Sequence, residues 1–374
     1  MKRKQLFKKF IRKIHLWLGL ATGLVVFIVS ITGAIYVFEP DINLLLQAGV
    51  YRNVERQDKP FISPLEIKKR SEEFFQKRIV SMNVTVYPEG DRANIVWVRD
   101  STRKYTAIVQ NPYTGEVIHS YPYSANFWAI VLGLHTSLLI PQIGHHIVSI
   151  STLLYIIMLI SGIILWYPKR KKHLRQRLMI KWGTSPKRLN YDLHNVLGFY
   201  MSWVAIFIIL TGLILSYDWL KTSAYWIATG GEKPVREAPL KPALPDSAFV
   251  SGNEAEEKLL SLIGAQDDLQ NYFLIYAIDS SDYYRLTLNS RAGYFYNRHD
   301  YYAINQYTGE ILKEDLWKDK NNGDRLLEAN LNIHIGAILG FPGKILAFFA
   351  SLISASLPVT GFLIWMGRKK KRSS

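Results

Sequence analysis

The chain has 374 residues, 49% of them hydrophobic, and a formal net charge of +16 from 46 Lys and Arg against 30 Asp and Glu. It contains no cysteine, which excludes disulfides, thiol nucleophiles, iron–sulfur clusters held by cysteine and covalent cofactor attachment through C-x-x-C-H. The mean hydropathy is close to zero. This balance is typical of a chain that alternates between lipid-embedded and water-soluble parts.

Four apolar stretches are long enough for membrane-spanning helices, which need about 20 residues. They cover residues 14–38, 147–167, 193–217 and 345–366. The run without charge from 120 to 167 is too long for one span and is interrupted by Pro141 and Gly144. We therefore expect an interfacial helix, a break and then the second span. A cleavable signal peptide is not expected, because small cleavage-site residues do not follow the first apolar run.

The distribution of positive charge predicts the orientation in the membrane. Three segments without Asp or Glu, 1–13, 168–190 and 368–374, hold 21 of the 46 Lys and Arg residues. All three lie on one side of the four spans, which the positive-inside rule makes the cytoplasmic side. Both termini are then cytoplasmic. Charge at helix ends favours contact with anionic membrane lipid, and we expect no nucleic acid partner.

The hydrophilic segments between spans one and two and between spans three and four predict two small α+β domains outside the cytoplasm. Each contains a Tyr-Thr-Gly-Glu run, at 113–116 and 307–310, after a strand-like stretch. Glycine in third place fits a hairpin turn that needs positive φ. The predicted order is: tail and span 1, 1–38; first outer domain, 39–124; interfacial helix and span 2, 125–167; basic loop, 168–190; span 3, 191–217; second outer domain, 218–330; interfacial helix and span 4, 331–366; tail, 367–374.

The spans contain an internal repeat. His15 precedes Gly33 by 18 residues, as His194 precedes Gly212, and the sequences around both pairs are similar. A second set repeats over 27 residues, from His135 to Gly162 and from His334 to Gly361. We therefore predict an integral membrane protein whose α-helical four-span bundle arose by internal duplication.

The repeated histidines are the candidate functional residues, because ionisable side chains in membrane segments are costly. Since almost no carboxylate shares the spans with them, axial ligation of haem iron fits better than a proton relay. His15 is followed on one helix face by Gly19 and Gly23, and His194 by Gly198 and Ser202. Such small residues would leave a groove for a flat porphyrin, although an ordinary small-residue packing face remains the alternative.

A second haem held by His135 and His334 is the corresponding prediction for the other pair. His145 and His146 are competing ligands from the same region, without histidine counterparts in the repeat. His119, His173 and His299 are interpreted as solvated surface or loop residues. Trp17, Trp166 and Trp365 at span ends are typical of an interfacial aromatic belt. No catalytic acid, base or nucleophile is identifiable.

The start of span one, IHLWLGLATGL, the histidine segments LHTSLL and HIGAILG, and the strand-turn NPYTGE resemble the PepSY-associated transmembrane helix family. The resemblance implies PepSY-like extracytoplasmic domains and a bacterial inner-membrane location. Some members are ferric-siderophore reductases with two b-type haems. The resemblance thus implies non-covalent haem b at His15, His135, His194 and His334, one haem near each membrane face, and electron passage outward.

The expected function is an oxidoreductase that reduces a ferric siderophore or another ferric chelate on the periplasmic side for iron acquisition. The chain has no dinucleotide or flavin fingerprint, so the electrons must come from a quinol or a cytoplasmic reductase. Two alternatives are a membrane-anchored accessory protein that binds a peptide, protease or transporter without redox activity, and a transporter built on the duplicated, broken helices.

Overall fold

The structure is a computed structural model that describes residues 2–46, 54–123, 127–168, 170–234, 240, 253–292 and 296–369. The chain forms two compact units. The bundle unit comprises Met1–Glu39, Ile130–Ala224 and Leu326–Ser374, and the sheet unit comprises Pro40–Ala129 and Tyr225–Arg325.

The α-helices are α1 (Lys2–Tyr36), α2 (Glu39–Leu46), α3 (Pro64–Phe75), α4 (Phe127–Ser137), α5 (Gly144–Trp166), α6 (Leu174–Leu178), α7 (Pro186–Asp192), α8 (Gly198–Ser216), α9 (Asp218–Thr229), α10 (Asn253–Gly264), α11 (Asn322–His334) and α12 (Gly340–Lys369). The strands are β1 (Ile79–Val86), β2 (Asn94–Asp100), β3 (Tyr105–Gln110), β4 (Val117–Pro122), β5 (Leu269–Ile275), β6 (Tyr283–Ala292), β7 (Tyr296–Asn305) and β8 (Ile311–Asp315).

Four helices in the described part of the chain are long and apolar enough to cross a membrane, which confirms the four predicted spans. They cover Gln5–Tyr36, Gly144–Trp166, Pro186–Ser216 and Ala337–Arg368. The first helix has 35 residues, which is about 52 Å at about 1.5 Å per residue and exceeds the roughly 30 Å hydrocarbon core. Its basic N-terminal turns therefore extend beyond the lipid.

The four spans form one bundle around a small apolar core. Helix α1 contacts α5 and α12, and α8 contacts the same two helices. Val26, Leu159, Met201, Ile209 and Leu213 are buried between them. The outward faces carry large exposed hydrophobic side chains, including Phe27, Leu153, Phe207 and Leu363. Such a continuous apolar surface is expected where lipid replaces water.

The second and fourth spans are each preceded by a helix and a sharp break; the sequence predicts an interfacial helix before both, within 125–167 and 331–366. Between α4 and α5 the chain turns at Leu138, Leu139 and Gln142, which have φ of 54°, 55° and 65°. Between α11 and α12 the corresponding positive φ values belong to Gly336 and Gly340, at 75° and 65°. The two breaks are thus made by different residue types.

The third span contains a local widening of the helix. Leu193–Leu197, between α7 and α8, is a turn of π-helix and includes His194. Such π-helical turns occur mostly as single bulges inside α-helices and frequently at functional sites.

All eight strands of the described part of the sheet unit belong to one antiparallel sheet, in the order β4-β3-β2-β1-β5-β6-β7-β8. The central pair joins the two hydrophilic segments: Val84 of β1 is opposite Leu274 of β5. Alternate residues of β1 and β2 are buried, among them Met82 and Val96. Helices α3 and α10 contact each other, and their Ile67 and Leu259 complete the same core.

The two Tyr-Thr-Gly-Glu runs form the predicted turns. Asn111 and Asn305 each accept, through Oδ1, hydrogen bonds from the backbone N–H groups two and three residues later. Gly115 and Gly309 have φ of 71° and 68°, in the region that favours glycine. The prediction that glycine is required at this place is confirmed.

The structure differs from the sequence analysis in how the two hydrophilic segments are organised. Two separate α+β domains were expected at 39–124 and 218–330, but the segments share one sheet, one core and one compact unit. Tyr276 shows the connection at one residue: its N–H donates to the Met82 carbonyl and its hydroxyl to the Pro64 carbonyl. The basic segment 368–374 lies outside the described residues beyond position 369.

Candidate functional site

The bundle unit brings the four repeated histidines together in two pairs. The rings of His15 and His194 lie with their centres 6.5 Å apart and their planes at 89°. The rings of His135 and His334 lie 6.1 Å apart with their planes at 59°. Each pair combines one histidine from each half of the chain, as the sequence analysis predicted.

These separations fit two imidazoles on opposite sides of one metal ion. A metal–nitrogen bond is about 2.0–2.1 Å, and a ring centre lies about 1.1 Å behind its ligating nitrogen, so opposite ligands place ring centres about 6.3 Å apart. The observed 6.5 and 6.1 Å bracket this value. Edge-to-face packing of two rings also gives centres about 4.5–7 Å apart, so the ligand role rests on the hydrogen bonds at Nδ1 together with these distances.

Hydrogen bonds place a proton on Nδ1 of His135 and His334. The Nδ1 of His135 lies 2.9 Å from the Val29 carbonyl oxygen, and that of His334 lies 2.8 Å from the Ile208 carbonyl oxygen. A carbonyl oxygen can only accept, so both Nδ1 atoms must donate. We therefore assign the tautomer whose Nε2 carries a free lone pair, as an iron ligand requires.

The same reasoning applies to His15 and His194, whose partners are hydroxyls. Nδ1 of His15 lies 2.8 Å from Ser161 Oγ, which itself donates to the Met158 carbonyl. Nδ1 of His194 lies 2.9 Å from Thr360 Oγ1, which itself donates to the Ser356 carbonyl. Because each hydroxyl has used its hydrogen, each accepts from the histidine, and Nε2 again carries the lone pair.

Each histidine ring packs against a glycine of a neighbouring span. A Cβ placed on Gly33 or Gly212 would lie 2.9 Å from Cε1 of His135 or His334. On Gly162 or Gly361 it would lie 3.4 or 3.2 Å from Cε1 of His15 or His194. These are the glycines that define the repeat, and they leave the space that the rings occupy.

Two cavities of about 410 and 300 Å³ open beside the histidine pairs. His15 and His194 line the larger, named here the first cavity, and His135 and His334 line the second cavity. Sites for small molecules and cofactors usually measure about 300–1,000 Å³ and are mostly apolar. Tyr155 and Val26 line both cavities and therefore stand between them.

The predicted groove residues lie where the sequence analysis expected them. Gly19, Gly23, Gly198 and Ser202 all line the first cavity together with the two histidines. A Cβ added at Gly19 would lie 2.9 Å from Met158 Cε, at Gly23 3.3 Å from Pro358 Cβ and at Gly198 3.4 Å from Leu357 Cδ2. The glycine face therefore both lines the cavity and packs against neighbouring helices.

The competing candidates are placed differently. His145 is exposed at the edge of the second cavity, and His146 is exposed without lining either cavity. Asp192, the acid nearest to His194 in sequence, is buried and paired with Arg188 at 2.9 Å.

The prediction that the three remaining histidines lie on the surface or in loops is confirmed only in part. His173 is exposed in the basic segment, and His119 is exposed on β4. His299 lies half-buried within β7 rather than in a loop, and it hydrogen-bonds Asn289.

Three features of the site were not found in the sequence analysis. The Nδ1 partners were missed, although Ser161 and Thr360 occupy equivalent repeat positions and Ser or Thr beside a repeated Gly was a usable signal. The π-helical turn at His194 has no sequence signature. Trp166 and Trp365 line the first cavity instead of only facing the lipid interface, and Trp166 stacks on Phe199 with ring centres 3.7 Å apart.

These observations define a membrane protein with four spans, an antiparallel sheet unit and two cavities lined by histidine pairs. The chain belongs to the PepSY-associated TM region family, whose model matches residues 12–368. The match confirms the resemblance at the level of the family. No curated protein matches the chain.

Proposed function

We propose that the protein binds two b-type haems and carries electrons across a bacterial inner membrane to reduce a ferric siderophore or another ferric chelate. The observation that supports this most strongly is the pairing of His15 with His194 and of His135 with His334 at ligand-like separations beside two cavities. In each pair the Nδ1 atoms are hydrogen-bonded, and Nε2 is left for a metal.

The donor set favours haem over a bare metal ion. Across the described residues, no group of three or more His, Asp or Glu side chains is placed to hold a metal. Two imidazoles are too few for a structural zinc site, which takes about four protein ligands. They are the right number for iron in a porphyrin, whose macrocycle supplies the other ligands.

Bound haem would supply reversible one-electron transfer, and two histidine ligands leave no open position for oxygen. The role of the chain would then be to hold the haems and to orient the histidine rings. Ser161 and Thr360 fix the rings of one pair, and the Val29 and Ile208 carbonyls fix those of the other. The linings of both cavities are mostly apolar.

The orientation follows from the charge distribution. The basic segments at 1–13 and 168–190 put their ends of the spans in the cytoplasm, so the hydrophilic segments of the sheet unit belong to the periplasm. His15 and His194 are then near the cytoplasmic face, and His135 and His334 near the periplasmic face. A quinol or a cytoplasmic reductase would supply electrons at the first pair, and the ferric chelate would accept them beyond the second.

We also infer that the two halves of the bundle are copies of one ancestral unit. Each half places a histidine of its first span against a glycine of its second span, and a histidine of the helix before its second span against a glycine of its first span. The hydrogen-bond partners match as well: Ser161 with Thr360, and the Val29 with the Ile208 carbonyl. A duplicated unit explains why two cofactor sites arise from four spans.

An optical spectrum with haem quantified per chain tests the proposal. Protein purified in detergent from haem-replete cells should show a Soret band that shifts on dithionite reduction, with about two haems per chain. His15→Ala or His194→Ala should leave about one haem, and His135→Ala or His334→Ala should remove the other. His145→Ala is the matched control and should keep both, since His145 is exposed and its ring lies beside that of His146 in the same helix rather than beside a histidine of the other half.

Exogenous imidazole separates a lost ligand from a damaged fold. It should restore the spectrum of His15→Ala, because the deleted ring leaves space for it. Colourless wild-type protein would contradict the proposal, as would four Ala variants that all keep the wild-type spectrum. The second outcome would instead favour the accessory protein, whose spans only anchor the sheet unit.

A further inference from the structure

The two cavities differ in charge although their histidines match. Arg12 of α1, Arg177 of α6 and Arg368 of α12 line the first cavity, which has no Asp or Glu in its lining. The second cavity has no Lys or Arg in its lining and is polar mainly through hydroxyl groups, among them Ser30, Thr152 and Ser351. This difference goes beyond the histidine sites and needs its own explanation.

None of the three guanidinium groups has an ion pair with another residue in the described parts of the chain. Arginine presents a fixed fork of N–H donors that matches carboxylate or phosphate oxygens in pairs. An anion bound among three such cations would be attracted by each of them. The lining of the first cavity therefore suits an oxyanion.

The positions of these arginines follow from the histidine site itself. Arg12 precedes His15 by three residues and shares its helix face. Arg368 follows Gly361, the glycine against the His194 ring, by seven residues and so also returns to the same face.

Arg177 is held in place by its backbone. The Trp166 indole N–H donates to the Arg177 carbonyl at 3.1 Å, and Arg177 is half-buried. Because Trp166 is itself buried and stacked on Phe199, this short basic helix is attached to the end of the second span. Of the three cations, Arg177 is the least exposed, since Arg12 and Arg368 are both exposed.

The rest of the first cavity is apolar, with Leu16, Leu20 and Leu357 in its lining. A ligand that fits such a lining has an apolar body and an anionic end. Haem b has this form, because a flat hydrocarbon macrocycle carries two carboxylates on one edge.

We propose that Arg12, Arg177 and Arg368 bind the carboxylates of the cofactor held by His15 and His194, and that the second cavity binds its cofactor without cationic partners. The inference rests on the proposed function and adds a second, ionic anchor at one site only. The first site then depends on the acid groups of its ligand, and the second does not.

Haem retention tests the inference in a background that isolates each site. In full-length His135→Ala protein, which should retain only the haem of the first cavity, Arg177→Gln should speed haem transfer to apomyoglobin, and the triple Gln variant should do so by about tenfold or more. Arg175→Gln is the matched control on the same short helix, since Arg175 does not line the cavity. In His15→Ala protein, the Arg substitutions should change nothing.

A chemical probe keeps the test independent of protein folding. Apoprotein in the His135→Ala background should bind haem at least about tenfold more tightly than haem dimethyl ester, whose carboxylates are uncharged. The triple Gln variant should lose this preference, and the second cavity should show little of it.

Equal binding of acid and ester by the wild-type first cavity would overturn the inference while leaving the haem proposal intact. Loss of bound phospholipid from the triple Gln variant, measured by mass spectrometry, with unchanged haem binding would also overturn the inference. Wild-type protein without haem would overturn both the inference and the haem proposal.

Discussion

At the scale of the residue, the contacts of the Nδ1 atoms determine the tautomer of the four histidines. Two carbonyl oxygens and two hydroxyls whose hydrogens are already used all require the histidine to donate. The rings are thereby held in one tautomer with Nε2 free. Groups fixed in this way serve as ligands, whereas an acid–base relay needs a ring that exchanges protons at both nitrogens.

Thr360→Val should weaken the first site without removing a ligand. The substitution nearly conserves volume but deletes the acceptor of the His194 Nδ1–H bond, and loss of such an orienting partner costs about 10–100-fold in metal affinity. Haem titration of the apoprotein measures this. Ser356→Ala is the control, because that hydroxyl bonds only the Ile353 carbonyl. Equal affinities for both variants would show that Thr360 does not orient the ring.

His299 makes the stability of the sheet unit depend on pH. Burial, and then the nearby Lys320, lower the pKa of His299 below its ordinary value, while Asp300 acts in the opposite direction. The unfolded chain therefore binds a proton at a higher pH than the folded chain. Stability should fall as pH drops below about 6.5 and continue to fall until the folded pKa is passed.

The contribution of His299 is measured by comparing thermal unfolding of the full chain at neutral and mildly acidic pH. His299→Gln should reduce the loss of stability on acidification, because no group is left to take up the proton. An identical pH dependence in both proteins would show that His299 does not contribute. His119→Gln, exposed on β4, provides the control.

The sequence predicted the histidine pairs but not the contacts of their rings. Equal spacings of 18 and 27 residues identify corresponding positions in the two halves of the chain, and the histidines at these positions lie in pairs in the structure. Spacing within one helix also shows which residues share a face, and Gly19, Gly23 and Gly198 were found in this way. It does not show which helix lies opposite, so the packing of His15 on Gly162 needed the structure.

At the scale of the element, equivalent breaks and turns in the two halves use different residues. The break after α11 uses Gly336 and Gly340, which a reader of the sequence can recognise as positive-φ positions. The break after α4 forces Leu138 and Leu139 into the same region. Leucine is not expected there, and only Pro141 and Gly144 marked the interruption in the sequence.

The repeated Tyr-Thr-Gly-Glu turn permits a matched comparison of two glycines. Alanine at Gly115 or Gly309 must adopt a left-handed conformation, which costs roughly 1–2 kcal/mol. At Gly115 the new Cβ would meet the side-chain ends of Ile62 and Arg70, which can move. At Gly309 it would lie 2.6 Å from the Glu254 carbonyl oxygen at the start of α10.

Gly309→Ala should therefore destabilise the sheet unit more than Gly115→Ala, since backbone must shift in addition to the conformational cost. Urea unfolding of the two full-length variants followed by circular dichroism compares them under the same conditions. Equal midpoints would mean that α10 moves away at little cost.

At the scale of the whole molecule, the main difference from expectation is the single sheet. Alternation within a strand predicts which face of that strand is buried. It contains no information about which strand lies alongside. The β1–β5 ladder joins residues 84 and 274, and nothing local in either strand specifies that partner, so two segments were taken for two domains.

Tyr276→Phe tests how firmly the two halves of the sheet unit are joined. The Tyr276 hydroxyl donates to the Pro64 carbonyl at 2.7 Å in a fully buried position. Its removal deletes one buried hydrogen bond, which should destabilise the unit by about 0.5–1.5 kcal/mol. Thermal unfolding measures the change. Tyr284→Phe in the same core should cost less, and a larger cost for Tyr284→Phe would contradict this assignment.

The central ladder also imposes an order on biosynthesis. At roughly 5–20 residues per second, the interval between translation of residues 84 and 274 is about 10–40 s. Throughout that time the nascent first half has β1 with an open edge, and two more spans must enter the lipid before its partner strand exists. Exposed edges of this kind attract other strands. A chaperone is therefore expected to hold the half-made chain, and expression should depend on it more strongly than for two independently folding domains.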